Sequence, residues 1–192
     1  MRLIFIALLT LTLASAIGLG ATWVTSSRGA SFGAITIGAW TAQPKNGTSE
    51  IDPYSRAAFA RSGALPIGTG DGVAFRATTD DRGKALDGRC DVNLSGITPA
   101  ARFWTLTLYD AQGNVVANAL ERYGFTSQEI VRASDGSFEL RVTSRSRAGN
   151  WLPTGGLDRY TLALRLYDTP VGVGTRTQKD APMPSIMTVS CP

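Results

Sequence analysis

Hydrophobic and polar positions change their period twice along this chain, and each change marks a new element. From Leu3 to Val24 no charged residue interrupts the sequence. A stretch of roughly 20 such residues is enough to cross a hydrocarbon core of about 30 Å as a helix. A short amphipathic pattern follows the polar loop Lys45 to Glu50. Asp52 is placed as N-cap, Pro53 occupies the first helical position, Arg56-Ala57-Ala58-Phe59-Ala60-Arg61 propagates the helix, and Gly63 closes it. Beyond Gly63 the helical period disappears. Strands then alternate with glycine-bearing turns at intervals of roughly 10 residues, as in a sandwich or jelly roll.

The strands predicted by this alternation are Val73 to Thr79, Arg89 to Ser95, Phe103 to Tyr109, Val115 to Ala117, Phe138 to Thr143, Tyr160 to Tyr167 and Ile186 to Cys191, with a first one near Ile35 to Trp40. Phe138, Leu140 and Val142 alternate with Glu139, Arg141 and Thr143, so one face of that strand is buried. Trp104, Leu106 and Leu108 oppose Phe103, Thr105, Thr107 and Tyr109, the pattern of a more central strand. The resulting division is a membrane anchor or signal segment over 1–25, a linker over 26–34, and one antiparallel, mainly all-β domain over 35–192 with a single short helix.

The apolar start of the chain has two readings. Leu3 to Leu13 followed by Ala14-Ser15-Ala16 fits a cleaved signal peptide. The apolar run nevertheless continues through Ile17, Leu19, Ala21 and Trp23, whose ring suits a membrane interface, and this favours an uncleaved anchor. Both readings export the remainder. In an exported chain the two cysteines, Cys90 and Cys191, are expected to form a disulfide. Cys90 shares a strand face with Val92 and Leu94, and Cys191 with Met187 and Val189, so both sulfurs are expected to point inward. Two separate buried thiols are the alternative.

Charge and chemistry narrow the function. Nineteen Lys and Arg against 15 Asp and Glu give a net charge of +4, which suits contact with anionic lipid or polymer. The densest basic group is Arg141, Arg145 and Arg147, which also fits a solvated strand end. No recognition helix or aromatic-basic motif points to nucleic acid. The sequence contains no histidine, so Ser-His-Asp and Cys-His mechanisms are excluded. Asp80, Asp81, Asp87, Asp110 and Asp135 stand beside turn glycines, where aspartate caps its own backbone. No metal, cofactor or catalytic set is assigned, and enzymatic activity is not expected. The candidate ligand-binding residues are Trp151, Arg165, Asn150, Tyr167 and Tyr109, aromatics and polar groups able to stack and orient a sugar or flat ligand. Core packing is the competing role for the aromatics. Pairing with a carboxylate is the competing role for Arg165.

The ordered segments DPYSRA (from Asp52), the turn from Asp80 to Gly88, FWTLTLYD (from Phe103), ANALERYG (from Ala117), SDGSFEL (from Ser134), NWLP (from Asn150), LALRLYD (from Leu162) and PMPSI (from Pro182) resemble the bacterial domain-of-unknown-function family 1214. The resemblance implies a jelly-roll-like β-sandwich and no established activity. It also implies company, because members occur either alone behind an export segment or anchor, or as the C-terminal half of longer proteins. Two departures stand out: Gly70-Asp71-Gly72 replaces a frequent glutamate, and Cys90 falls where an aromatic is common. The expected protein is therefore an inner-membrane-anchored, periplasm-facing accessory or interaction module working beside another envelope protein, or a periplasmic one if the leader is cleaved. A carbohydrate-binding or other small-ligand module is the alternative, and a carboxylate-dependent hydrolase the most remote one.

Overall fold

The computed structural model describes residues 2–28, 33–62, 67–68, 70–171 and 181–192. Gly63, expected to close the short helix, lies outside them. Helix α1 spans Arg2–Arg28 and takes in the first residues expected as linker. It is apolar on every side, and over Arg2–Thr25 it is long and apolar enough to cross a membrane. Its threonine hydroxyls bond back to carbonyls of the preceding turn, Thr12 to Leu8 and Thr22 to Gly18 among them. These polar atoms therefore need no water. Helix α2 spans Pro53–Ser62. Asp52 caps it as expected, its Oδ1 accepting the amides of Tyr54 at 3.0 Å and Ser55 at 2.9 Å.

Among the described residues, ten strands form two sheets. Strands β1 (Ile35–Ile37), β2 (Trp40–Ala42), β3 (Gly72–Ala77), β5 (Phe103–Asp110), β6 (Gly124–Thr126) and β9 (Tyr160–Tyr167) make a six-stranded sheet in the order β1-β2-β3-β9-β5-β6. Strands β4 (Asp91–Gly96), β7 (Phe138–Thr143), β8 (Asn150–Pro153) and β10 (Ser185–Ser190) make a four-stranded sheet in the order β10-β4-β7-β8. Both sheets contribute to one hydrophobic core: Trp40, Phe75, Trp104, Leu106, Leu164 and Leu166 from the first meet Leu94, Leu140, Leu152 and Ile186 from the second. Central position explains the patterning of β5, which is paired on both sides.

Three expectations are corrected. Val115 to Ala117 is not a strand, since only the isolated bridge Tyr109↔Val115 forms there. The partner of β5 on that side is β6, which sequence patterning missed. Its first residue must be glycine, because a Cβ on Gly124 would lie 2.1 Å from the Leu106 carbonyl oxygen. Second, a strand absent from the expected set carries Trp151. Asn150–Pro153 is β8, and it runs parallel to β7, so the four-stranded sheet is not purely antiparallel. The turn-back through Gly149, at φ 78°, is short because β8 overlaps only Leu140 to Thr143 of its neighbour. Third, the inward face of β10 is carried by Ile186, whereas Val189 is 58% exposed. A bulge between Thr188 and Ser190 shifts the register and leaves Cys191 exposed beyond the strand, while Cys90 is buried as expected.

The cysteines are bridged, Cys90 to Cys191, across a sequence separation of 101. The bridge is one of several ties on β10. Trp40 Nε1 donates to the Pro184 carbonyl at 2.7 Å. Asp81 Oδ2 accepts from Ser185 Oγ at 2.6 Å and from the Ile186 amide at 3.0 Å. Asp80 Oδ1 caps the turn at the amides of Arg82 and Lys84, and its Oδ2 accepts the Thr188 amide. Burial works against ionisation of Asp80, yet these three amides hold its carboxyl below the usual range. Lys84 Nζ lies 2.9 Å from Cys191 Sγ. Removing the bridge with Cys90→Ser and Cys191→Ser is expected to cost roughly 2–5 kcal/mol, because a closed loop of about 100 residues strongly restricts the unfolded chain. Urea unfolding checks this, and an unchanged midpoint would refute it.

Candidate functional site

Strand alternation decides where each candidate side chain points. Leu162, Leu164 and Leu166 of β9 enter the core, so Thr161, Arg165 and Tyr167 lie on the outer face of the six-stranded sheet. On β5 the outer face carries Phe103, Thr105, Thr107 and Tyr109. The register sets Phe103 opposite Tyr167 and Thr105 opposite Arg165. The Phe103 and Tyr167 rings are 6.0 Å apart. Arg165 Nη2 donates to Tyr109 Oη at 3.0 Å, and its guanidinium carbon stands 5.4 Å from the Tyr109 ring centroid. The partner of Arg165 in the fold is therefore an aromatic residue rather than the carboxylate considered from the sequence.

The other two candidates are elsewhere. Leu152 of β8 is in the core, so Trp151 lies on the outer face of the four-stranded sheet, on the far side of the molecule from Arg165. Its Nε1 donates to the Thr143 carbonyl at 3.0 Å. Asn150 is buried, and its amide is committed to the backbone: Nδ2 donates to Val131 at 2.8 Å and Glu139 at 2.9 Å, and Oδ1 accepts the Val131 amide at 2.8 Å. Tyr109, Arg165 and Tyr167 thus share a surface that Asn150 and Trp151 do not.

Beside that surface is a depression missed by sequence reasoning. It measures about 630 Å³ and is lined by Thr105, Thr107, Glu121, Tyr123, Thr126 and Glu129 among others. The loop over it is organised by Asn118, whose Nδ2 donates to the carbonyls of Val116 and Arg122 and whose Oδ1 accepts the amides of Leu120 and Arg122. All four hydrogen-bonding positions of the amide are used. Glu121 is held at φ 51°, a left-handed conformation that costs a residue with a Cβ about 1–2 kcal/mol. Arg122 Nη1 donates to the Trp151 carbonyl at 3.1 Å, and Glu129 Oε2 accepts the Thr126 amide at 3.1 Å. Two carboxylates, three threonine hydroxyls and a tyrosine 40% exposed make a surface rich in hydrogen-bonding groups with an aromatic edge. Such a surface suits a polar, uncharged ligand better than an apolar one. The ANALERYG segment carried the signal, but spacing alone did not show that Asn118 and Gly124 shape the loop. A second depression of about 620 Å³ lies at the Phe103 end, lined by Asp71, Arg102, Phe103, Gln128, Tyr167 and Asp168 among others.

Several other acids are engaged structurally. Asp110 Oδ1 accepts the amides of Gln112 and Asn114, and Asp135 Oδ1 that of Ser137. Arg141 pairs with Glu139 at 2.6 Å and Arg147 with Asp91 at 2.5 Å, so two of the three arginines in the densest basic group are neutralised. Among the described residues no group of three or more His, Cys, Asp or Glu side chains could hold a metal ion. Tyr160 is buried in the core, and among the described residues its hydroxyl has no partner. Burial pushes that phenol well above its ordinary range.

Fold and site together define a mostly β two-sheet domain carrying an N-terminal apolar helix. The sequence profile of the family described as "Protein of unknown function (DUF1214)" matches residues 71–171. The chain belongs to that family. Among solved structures, the VPA0106 protein from Vibrio parahaemolyticus is similar, with a TM-score of 0.59 and 18% identity over 76% of this chain and 37% of that one. An uncharacterised protein from Burkholderia cenocepacia matches with a TM-score of 0.43 and 18% identity over 64% of this chain and 30% of that one. The chain thus spans about a third of the length of each. No curated protein matches.

Two predictions test this account. The Arg89 side chain and then its amide hold the Asp87 carboxyl down to about 2. Because the folded value lies below the unfolded value of about 3.9, the stabilisation is complete above about pH 4 and is lost as pH falls towards 2. Asp87→Asn is expected to flatten the decline of stability over that window, and an unchanged acid profile would contradict the assignment. Separately, Glu121→Gly is expected to raise stability by about 0.5–1 kcal/mol by releasing the left-handed backbone. A loss of stability would mean that the Glu121 side chain holds the loop in place.

Proposed function

We propose that this protein is an accessory module of the bacterial envelope, tethered to the inner membrane by α1, with its β domain in the periplasm, and that it binds another envelope protein. In this reading the two sheets form a jelly-roll-like sandwich, consistent with consecutive strands crossing between sheets from β3 to β4 to β5 and from β8 to β9 to β10. The observation that carries the proposal is α1. It is an apolar helix exposed almost throughout its length, with internally satisfied hydroxyls, attached to a compact core that does not bury it. The disulfide supports an oxidising compartment. The likeness to one part of a much longer solved chain supports a module that works beside something else.

The outer face of the six-stranded sheet is the expected contact surface, since Tyr109, Arg165, Phe103 and Tyr167 present aromatic and arginine groups of the kind that dominate binding energy. The test is site-specific photo-crosslinking of the full-length protein in its native host from position Thr107, with Glu139 on the opposite surface as control. A single envelope protein captured from Thr107 and not from Glu139 supports the proposal. Equal capture from both positions, or none, contradicts it.

A second reading is favoured by the depression beside β6. Its threonines, Tyr123, Glu121 and Glu129 could hold a carbohydrate or another polar ligand, and its two carboxylates are the groups that a carboxylate-dependent hydrolase would require. Native mass spectrometry that finds a small molecule on the purified protein, lost on Thr107→Val, would move the assignment there.

A further inference from the structure

Helix α2 packs beside the exit of α1. It contacts α1, and the guanidinium of Arg61 stands 5.4 Å from the ring centroid of Trp23. Trp23 lies two residues before Thr25, where the apolar span ends. At 1.5 Å per residue the distance between them along the helix axis is about 3 Å. The span from Leu3 to Thr22 is long enough for a hydrocarbon core of about 30 Å, which puts the Trp23 ring at the boundary between hydrocarbon and headgroups. A helix held against Trp23 is then within side-chain reach of the headgroup layer.

The composition of α2 fits that position. It contains Arg56 and Arg61 and no acidic residue. Ser55 is buried, while Tyr54, Arg56, Ala57, Ala60 and Arg61 are exposed, with Tyr54 at 42%. The nearby acids are occupied: Asp52 caps the helix, and Glu50 pairs with Lys45 at 3.2 Å. A short helix with arginines, a tyrosine and alanines on its exposed side matches an anionic bilayer surface, where arginine finds phosphate and tyrosine sits at headgroup depth. A second envelope protein would place its own groups on this side only by displacing the headgroups that α1 brings there.

We propose that α2 is an interfacial collar, lying on the membrane surface beside the exit of α1 with Arg56 and Arg61 on anionic phospholipid headgroups. The proposal rests on α1 being retained as a membrane span.

The test uses the full-length protein in vesicles of phosphatidylethanolamine and phosphatidylglycerol. A nitroxide is attached at Ala57→Cys and, as an aqueous control, at Ala111→Cys in an exposed turn. The label at position 57 is expected to collide severalfold more with oxygen relative to a water-soluble nickel complex than the label at 111. Arg56→Glu leaves the Arg61 and Trp23 stack in place and is expected to reduce the surface-bound population on the order of fivefold or more. A label at 57 that reads as aqueous as the one at 111, in a chain that retains α1, overturns the collar alone. Intact mass of the protein from native membranes separates the other failure: a mature chain lacking α1 overturns the anchor reading, and the collar with it.

Discussion

The capture of β10 is the constraint on which the two-sheet body depends. The chain leaves the six-stranded sheet at the end of β9 and returns as an edge strand of the four-stranded sheet, where β4 is its sole ladder partner among the described residues. One ladder and one fully buried side chain, Ile186, are a small return for ordering a chain terminus. The structure compensates with ties that also join the sheets. Trp40 belongs to the six-stranded sheet and bonds the carbonyl before β10. The Asp80-Asp81 turn carries the chain between the sheets, from β3 towards β4, and directs both carboxylates at β10. The disulfide then fixes the far end of the strand beside β4. Charge-assisted bonds of this kind are among the stronger polar contacts a fold can make.

That arrangement also explains which acids are available for function. Aspartates at turns look like candidates for catalysis or calcium in a chain without histidine, yet each is used by backbone amides, an arginine or β10. Glu121 and Glu129 face a depression beside the outer face of the six-stranded sheet, Asp71 and Asp168 line the one at the Phe103 end, and Glu139 lines another beside Asn150. Among the described residues, Glu121 in the loop beside β6 and Asp168 after β9 are the non-glycine residues with positive φ, and each lines a depression.

Much of this was legible from residue order. Alternation found β3, β4, β5, β7, β9 and β10 within a few residues, Asp52 and Pro53 marked the start of α2, and cysteine count with export implied the bridge. The failures have physical causes. β6 is three residues long and begins with a glycine needed for close approach to Leu106, so no alternating pattern announced it. β8 is four residues long, ends in proline and pairs in parallel, which a reading based on hairpins does not anticipate. The bulge in β10 reverses the facing of its last residues, and a period-two reading cannot detect an inserted residue. At the site, strand parity sets Arg165 and Tyr167 on one face of β9 but does not show that Trp151 lies on the opposite sheet. Asn150 was selected as a polar group beside an aromatic, and its neighbours in space, Val131 and Glu139, claim it for the fold.

Hydrogen exchange before and after reduction of the full-length protein tests the role of β10 most directly. If its capture closes the two-sheet body, reduction should deprotect residues 185–190 and the turn around Asp80 and Asp81 first, while the amides of β5 and β9 remain slow. If β10 keeps its protection after reduction, or if β5 and β9 open no later than it does, the bridge and the aspartate turn are not what holds the sheets together.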